Sequence, residues 1–485
     1  MSQAKTVAVI GAGVSGLTVA GALARQGFAV ELFEARDRVG GCCSTTDVDG
    51  YRFNEGALYL ALPQLLDRAF EAVGLHRPSV LPLTRIDKPQ TARLPNGDQV
   101  TFGHDRHVSV ERAHGPVDAS RIDEELAHMM SRWEPALRLL ADQILVEPFS
   151  FRRIVTKGWR QLPKFRGSVA DELTRLFADE SVRAAMSGVL LYTGIPPEQQ
   201  PVISILGLVT LFSDGFHLPD GGMGEISRVL GEAVIAHGAT ITLNSRVEQI
   251  VVRGGQVTGV RVHDRGVVPA DIVISTVSGM LTFGSLLDSA DAPTRLRRKA
   301  EHARLSHSAF SVQLGLRNQI DVPSHSNLQL RFVASQADVF TPCDDGLEWL
   351  IFDAPTVTLP GLAPAGGSVV EMYPPVRRDL PLDAWNDERK EAVLDTAVAA
   401  LSRSYDIDVA VSRLTSPKDF SHDLNLYRGA VYGLSPQVAP WDHFPHRTGI
   451  QGLYQCGQTT YPGYSVARSA ISGVLAAREI LSNGR

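Results

Sequence analysis

The residues of this chain best suited to chemistry are three glycines and an acid near its start. Gly11, Gly13 and Gly16 stand in Gly-x-Gly-x-x-Gly spacing, and Glu34 follows at the distance of about twenty residues that a nucleotide-binding turn uses. Gly11 permits a tight turn, Gly13 lets a pyrophosphate approach the backbone, and Gly16 lets a helix pack close to the strand before it. The first helical turn, with Val14 and Ser15, offers free N–H groups and a partial positive charge to phosphate. Glu34, with Ala35 and Arg36 beside it, is placed to accept both ribose hydroxyls of an adenosine, and its charge disfavours a 2′-phosphate. Three glycines alone are a weak signal; a strand before them and a helix after them make a dinucleotide site the reading.

The elements that must hold these residues are legible around them. Val7 to Ile10 read as an apolar strand, Leu17 to Gln26 as a helix with small Ala20, Ala22 and Ala24, and Phe28 to Phe33 as a second strand leading to the acid. The run Arg36-Asp37-Arg38-Val39-Gly40-Gly41 comes next. In flavoproteins that bind two dinucleotides an Arg-x-x-Gly-Gly run stands here, and its glycines let the chain pass a flavin diphosphate. Arg36 and Arg38 either steer phosphate or sit as solvated loop charges. At the other end, Tyr461-Pro462-Gly463 make a bend, Ser465 is a good N-cap, and Val466 to Leu481 have helical composition. A helix N-terminus aimed at a flavin would stabilise the negative charge that develops on reduction. Arg468 lies in that first turn, where a cation is unfavourable for the helix. It either pairs with an anion such as reduced flavin or lies on the surface.

Length and composition bound the rest. The chain has 485 residues, 44% hydrophobic and 21% charged, which suits a soluble protein of two or three intertwined domains. A net charge of -6 argues against nucleic acid as a partner. The first strand begins at Thr6 and leaves no room for a leader, and Cys42, Cys43, Cys343 and Cys456 form no metal or redox motif, so a reducing cytoplasm is expected. The apolar run Val202 to Phe212 is about half of what a bilayer needs and reads as a buried helix or the wall of an apolar cavity. Contact with a membrane surface stays open. Further along, Pro63 to Val73, Ser120 to Ala141, Ser168 to Leu191, Glu225 to His237 and Glu388 to Ser402 read as helices. Asn96-Gly97 marks a hairpin within Leu94 to Phe102, Gly254-Gly255 a second one, and Thr240 to Leu243 and Asp271 to Thr276 are strands.

Several segments together resemble the phytoene desaturase and carotenoid isomerase family of amine oxidase-like flavoproteins. They are the motif through Gly41, GYRFNEGALYLALP, FHLPDGGMGEISRVLGEAVIAHGATITLNSRVEQI, ADIVISTVS, LYRGAVYGLSP and FPHRTGIQGLYQCGQTTYPGYSVARSAISG. The resemblance implies an α/β fold, with a Rossmann-like FAD-binding domain built from discontinuous segments and a mixed α+β substrate domain with a helical insert. Residues 1–75, 220–285 and 420–485 would form the first domain, and 76–219, carrying the insert, and 286–419 the second. Gly11, Gly13, Gly16 and Glu34 would hold the adenosine diphosphate half of FAD, and Gly40 and Gly41 would pass its diphosphate. Gly56, Ala57 and Leu58 would lie against the isoalloxazine and Val247 against adenine. Gly457 and Gln458 would close over the ribityl chain, and Tyr464, Ser465 and Val466 would meet the ring edge. Lycopene-type desaturases carry more glycine after the Pro-Gly, so the run Gly463 to Gly473 looks closer to the isomerase and saturase branches.

Flavin chemistry asks little of side chains, since the cofactor carries the hydride and the protein binds, orients and excludes water. Tyr59, Tyr192, Phe212 and Phe216 are candidates for the substrate wall, and His217, Tyr461 and Arg468 for catalysis. Each has ordinary packing as its alternative. No second glycine motif follows a strand, so NADPH would dock only transiently as a donor. Three readings fit. One is an FAD enzyme that desaturates, isomerises or saturates a lipophilic conjugated substrate by hydride transfer to or from flavin N5. The next is a natural-product tailoring enzyme that cyclises a polyene reductively with NADPH, with an amine oxidase as a weaker variant. The third is a non-enzymatic chaperone for prenylated proteins of the GDP dissociation inhibitor kind, against which the intact flavin motifs count.

Overall fold

The computed structural model describes residues 4–330, 349–373, 375–376 and 380–483. Its centre is a five-stranded parallel sheet whose members come from distant parts of the chain. Thr6–Ile10 lies in the middle, with Ala29–Phe33 and then Thr240–Thr242 on one side and Ile272–Ser275 and then Leu453–Gln455 on the other. Val7 to Ile10 are apolar and buried without alternation, as a strand covered on both faces must be. The helix Val14–Ala24, every residue buried, packs on this sheet together with Gly224–Ala236 and Val466–Asn483. Its start is earlier than the expected Leu17, because the helix begins directly after Gly13. The C-terminal helix comes so near that a Cβ at Gly473 would lie 2.5 Å from the Ser15 carbonyl oxygen.

Val247–Arg253, Gln256–Val262 and Gly266–Pro269 form a three-stranded antiparallel sheet, its first turn at Gly254-Gly255 as read from the sequence. A separate eight-stranded sheet joins the hairpin Gln90–Arg93 and Gln99–Gly103, and the edge strand His107–Glu111, to five strands between Ser311 and Thr415. Its pairs are antiparallel except Ser326–Leu330 with Gln90–Arg93. That long-range pairing has no local signal.

Helices cover the hairpin side of this sheet. Ala119–Leu139 buries Met129, Met130 and Trp133. The expected single helix over Ser168 to Leu191 is instead two, Val169–Leu176 and Glu180–Val189. Ser168 and Asp171 make a capping box at the first, and the Asp179 side chain accepts the Val182 N–H to start the second. Val202–Phe212 becomes a short 3-10 turn and the helix Leu206–Ser213, with Ile205, Leu208, Val209, Leu211 and Phe212 in the core. Of its two readings the buried helix is the one the structure takes. No helix among the described residues is long and apolar enough to cross a membrane.

Candidate functional site

The three glycines are required for different reasons. Gly11 has φ +96°, and a Cβ there would lie 2.7 Å from Thr276 Oγ1; a Cβ at Gly16 would lie 2.0 Å from the Gly11 carbonyl oxygen. Gly13 is the opposite case: an added Cβ would meet no protein atom within 4 Å. Packing therefore does not demand glycine at 13. Its surroundings do, because Gly13 forms part of the wall of a cavity of about 490 Å³. A group of diphosphate shape that touches backbone there fits the choice.

Glu34 closes the strand beside this wall and is 7% exposed. One carboxylate oxygen accepts the Ala12 N–H at 2.7 Å and the other the Arg36 N–H at 2.9 Å. Both oxygens keep lone pairs for ribose hydroxyls. Val14, Ser15, Ala35, Arg36, Gly40 and Gly41 line the cavity near it, and Gly56, Ala57 and Val247 line it further along. From the last segment come Gln458, Tyr464, Ser465 and Val466. Four separated stretches of sequence thus meet at one cavity. Leu58, Gly16 and Gly457 are not on its wall. Gly16 sits behind the turn, and Gly457 donates its N–H to Ser472 Oγ at 3.1 Å, which ties the last strand to the C-terminal helix. Ser465 caps that helix as expected, accepting the Arg468 N–H at 3.3 Å.

Arg36 and Arg38 share a partner that the sequence did not point to. Glu55 accepts from Arg36 at 2.6 Å and from Arg38 at 2.8 Å, and also from Ser44 and Thr46. Burial alone would raise the Glu55 carboxyl, but the Thr46 hydroxyl and the Arg36 guanidinium hold it down at about 2. Arg38 therefore braces the loop, whereas Arg36 both braces it and reaches the cavity. Cys42 and Cys43 also line the cavity. Burial pushes their thiols up to about 11 and about 12, so both are protonated small side chains rather than nucleophiles. Cys456 is buried as well, and Cys343 lies outside the described residues.

The stacked rings of Tyr432 and Tyr464, 4.5 Å apart, stand at the cavity wall. Tyr432 lies in the LYRGAVYGLSP segment but was not singled out as a site residue; its hydroxyl donates to the Tyr192 carbonyl oxygen at 2.8 Å. Behind this pair lies an aromatic layer. Tyr59 stacks on Phe216 at 4.1 Å, and the Tyr192 hydroxyl donates to Asp353 at 3.0 Å. Tyr59, Tyr192 and Phe216 surround a second cavity of only about 10 Å³. Val202 to Phe212 lines neither of these cavities; most of its side chains are packed core, and Phe212 meets Phe102 edge-on.

The three catalytic candidates lie off the cavity wall. His217 stands in the strand Phe216–Pro219, which lies between Leu60–Ala61 and Leu83–Arg85 in a small three-stranded sheet; it pairs with Leu60 and Arg85, and strand alternation points it away from the Phe216 face. Burial, then the cations Arg85 and Arg77, lower its pKa, so it is neutral at pH 7. Tyr461 spends its hydroxyl on the Ile144 carbonyl oxygen at 2.7 Å, away from the cavity. Arg468 does not line the cavity either; its charge acts on His443, Tyr461 and Tyr464. The aromatic layer contains instead two groups the sequence did not single out. Asp353 and Glu371 face each other across neighbouring strands, each 1% exposed, with no cation paired to either among the described residues. Burial pushes their carboxyls up to about 7 and about 8.

A parallel sheet, a glycine turn into a helix, an acid on the next strand and a second helix returning to the same cavity define a protein that binds a flavin dinucleotide. The chain matches the flavin containing amine oxidoreductase family over residues 14–481. It belongs to that family and is an FAD-dependent oxidoreductase. It is 29% identical to a zeta-carotene-forming phytoene desaturase of Myxococcus xanthus, over 99% of this chain and 95% of that one. A neurosporene-forming phytoene desaturase of Rhodobacter capsulatus is 26% identical over 97% and 93%. Among solved structures, an oxidoreductase from Methanosarcina mazei aligns over 98% of this chain and 100% of its own with TM-score 0.65 and 16% identity. Putrescine oxidase bound to putrescine aligns over 99% of each chain with TM-score 0.63 and 18% identity. These two share the fold.

Proposed function

We propose that this enzyme oxidises, reduces or isomerises a lipophilic conjugated polyene. The observation that carries the reading is the composition of the cavity: a glycine and carboxylate cradle at one end, and at the other the stacked Tyr432 and Tyr464 backed by Tyr59, Tyr192 and Phe216. The relatives named as phytoene desaturases support the same substrate class. FAD, when bound, supplies the hydride acceptor or donor at N5. Gly11, Gly13 and Glu34 would hold its adenosine diphosphate half, Gly40 and Gly41 would let the diphosphate pass, and Val247 would meet the adenine. The N-terminus of the helix after Ser465 offers unpaired N–H groups and positive potential to the ring edge. With Tyr461 and His217 turned away, the protein's work beside Tyr432 and Tyr464 is to orient an apolar substrate and exclude water. The Tyr59–Phe216 pair must separate to admit a long substrate, since the layer behind Tyr432 is filled.

The test is flavin bleaching under nitrogen, with carotenoid-like polyenes as donors to the oxidised enzyme and as acceptors from enzyme reduced with NADPH. Bleaching by a polyene alone marks a desaturase. Reoxidation of reduced enzyme by a polyene marks a saturase or reductive cyclase. Bleaching by amines and by no polyene overturns the proposal.

A further inference from the structure

The second cavity, of about 10 Å³, has room for one water-sized group and no more. Its wall is polar on one side: Gln90, His325 and Ser326 face the aromatic rings of Tyr59, Tyr192 and Phe216 across it. The eight-stranded sheet builds that side. Gln90 stands opposite Ser326, Ser326 opposite Asp353, Asp353 opposite Glu371, and Glu371 opposite Gln313. Residues paired in this way point to the same face, so the five make one row, and each is 5% exposed or less. Burying such a row is costly unless its atoms find partners. At the Gln313 end they do. Glu371 accepts the Asn54 backbone N–H at 2.5 Å and its side-chain N–H at 3.3 Å. Gln313 donates to the Asn54 carbonyl oxygen at 2.6 Å and accepts from Arg413 at 3.2 Å.

At the cavity end they do not. Among the described residues Gln90 Nε2 and the second oxygen of Asp353 have no partner, and neither has Nε2 of His325, the residue just before the strand Ser326–Leu330. His325 is 2% exposed, its Nδ1 lies 3.4 Å from Thr358 Oγ1, and burial pushes its pKa down to about 4, so the ring is neutral. A wall meant only for hydrocarbon would be better served by apolar side chains at 90 and 325, because a buried donor without a partner costs more than an apolar group of the same shape. One oxygen atom in the void resolves this. The Gln90 amide donates to it, and His325 Nε2 meets it in either tautomer, accepting a hydroxyl proton or donating its own. We propose that the void between Gln90 and His325 receives a hydroxyl or carbonyl oxygen of the substrate, which is therefore an oxygenated polyene. The inference rests on the polyene reading above. Tyr59 and Phe216, the pair that must separate to admit a long substrate, also line the void, so a chain that passes them brings its oxygen-bearing end to Gln90.

The experiment compares three matched ligands on the flavin-loaded full chain: a linear carotenoid hydrocarbon, its terminal alcohol and its terminal aldehyde, all dispersed in the same detergent. Binding is read as the polyene extracted from the protein fraction after gel filtration at increasing ligand concentration. The alcohol and the aldehyde are expected to bind about tenfold more tightly than the hydrocarbon. Gln90→Met and His325→Phe, which keep bulk and remove the polar atoms, should each shrink that preference to about twofold or less. Flavin content reports whether each variant has folded, and the comparison on wild type needs neither variant. Equal binding of the three ligands by wild type would mean that the void holds a trapped water; it overturns this proposal and leaves the polyene reading standing. A preference that persists in both variants places the oxygen elsewhere and also overturns it. If none of the three binds, this proposal and the polyene reading fall together.

Discussion

Glu55 and Asp353 are both acids removed from water in the same molecule, and their surroundings treat charge in opposite ways. Glu55 is met by two guanidiniums and two hydroxyls and stays ionised at about 2. Asp353, among Tyr192, Ser326 and Glu371, has one oxygen without a partner and is pushed by burial up to about 7. Around the glycine turn the buried acid is compensated in place. In the aromatic layer the two buried acids have no cation among the described residues, and burial favours their protonated forms. A buried carboxyl without a cation is tolerable only with its proton on.

The strongest way to break this contrast is at the glycine cradle. Gly13→Val should fold and lose its flavin entirely, because the added branch enters the cavity and not the protein; absorbance at the flavin bands of purified protein checks this. Gly16→Ala should fail to fold, since its Cβ collides with the Gly11 backbone, so its soluble yield should collapse. If the two variants behave alike, the separation of binding from packing in this turn is wrong. Next in size, Glu55→Gln removes one charge from a compensated cluster and takes from Arg36 its ion-pair partner, while Arg38 keeps only the exposed Asp37. A loss of about 3 kcal/mol is expected in denaturant unfolding of the holoenzyme.

The aromatic region answers with the opposite sign. Unfolded, its two carboxyls titrate at about 3.8 and 4.5; folded, at about 7 and 8. Between those values the unfolded chain has released protons that the folded chain retains, so these groups make stability fall as pH rises through the window. Asp353→Asn should therefore be more stable than wild type at pH 8 by about 2 kcal/mol and should show little gain at pH 4. Unfolding curves across that range decide it, and a variant that is destabilised at both ends would mean the carboxylate has a partner. The smallest effect is expected at Arg468→Ala. Because Arg468 does not line the cavity, flavin content should be unchanged and the midpoint potential should move by no more than about 10 mV, well under 1 kcal/mol for a two-electron couple. A shift several times larger would return Arg468 to the flavin.

What could be read from the sequence follows the same divide. The turn through Gly16, the acid at 34 and the cap at Ser465 each depend on neighbours close in the chain, so residue type and spacing announced them. Tyr432, Asp353 and Glu371 acquire their roles from contacts made far along the chain, such as Tyr432 with Tyr192, whereas Glu55 meets Arg36, Arg38, Ser44 and Thr46 close by in sequence but only because the loop folds back on itself. The catalytic candidates stand off the cavity wall for a related reason. His217 and Tyr461 have the right chemistry in the right neighbourhood, but which way a side chain points on a strand or a bend is decided by packing. The break at Asp179 was readable from its capping chemistry and was passed over because helical composition continues on both sides.

The strand order of the central sheet bears on how the polypeptide is made. Ile272–Ser275 must wait for Leu453–Gln455 before its outer edge is paired, and Val14–Ala24 must wait for Val466–Asn483 before its face is covered. During synthesis a half-built sheet with an open parallel edge therefore exists for the time it takes to translate the five strands of the eight-stranded sheet that lie between Ser311 and Thr415. Folding of the nucleotide-binding half has to be largely post-translational, and until then the nascent chain presents an aggregation-prone edge that a ribosome-associated chaperone would have to shield.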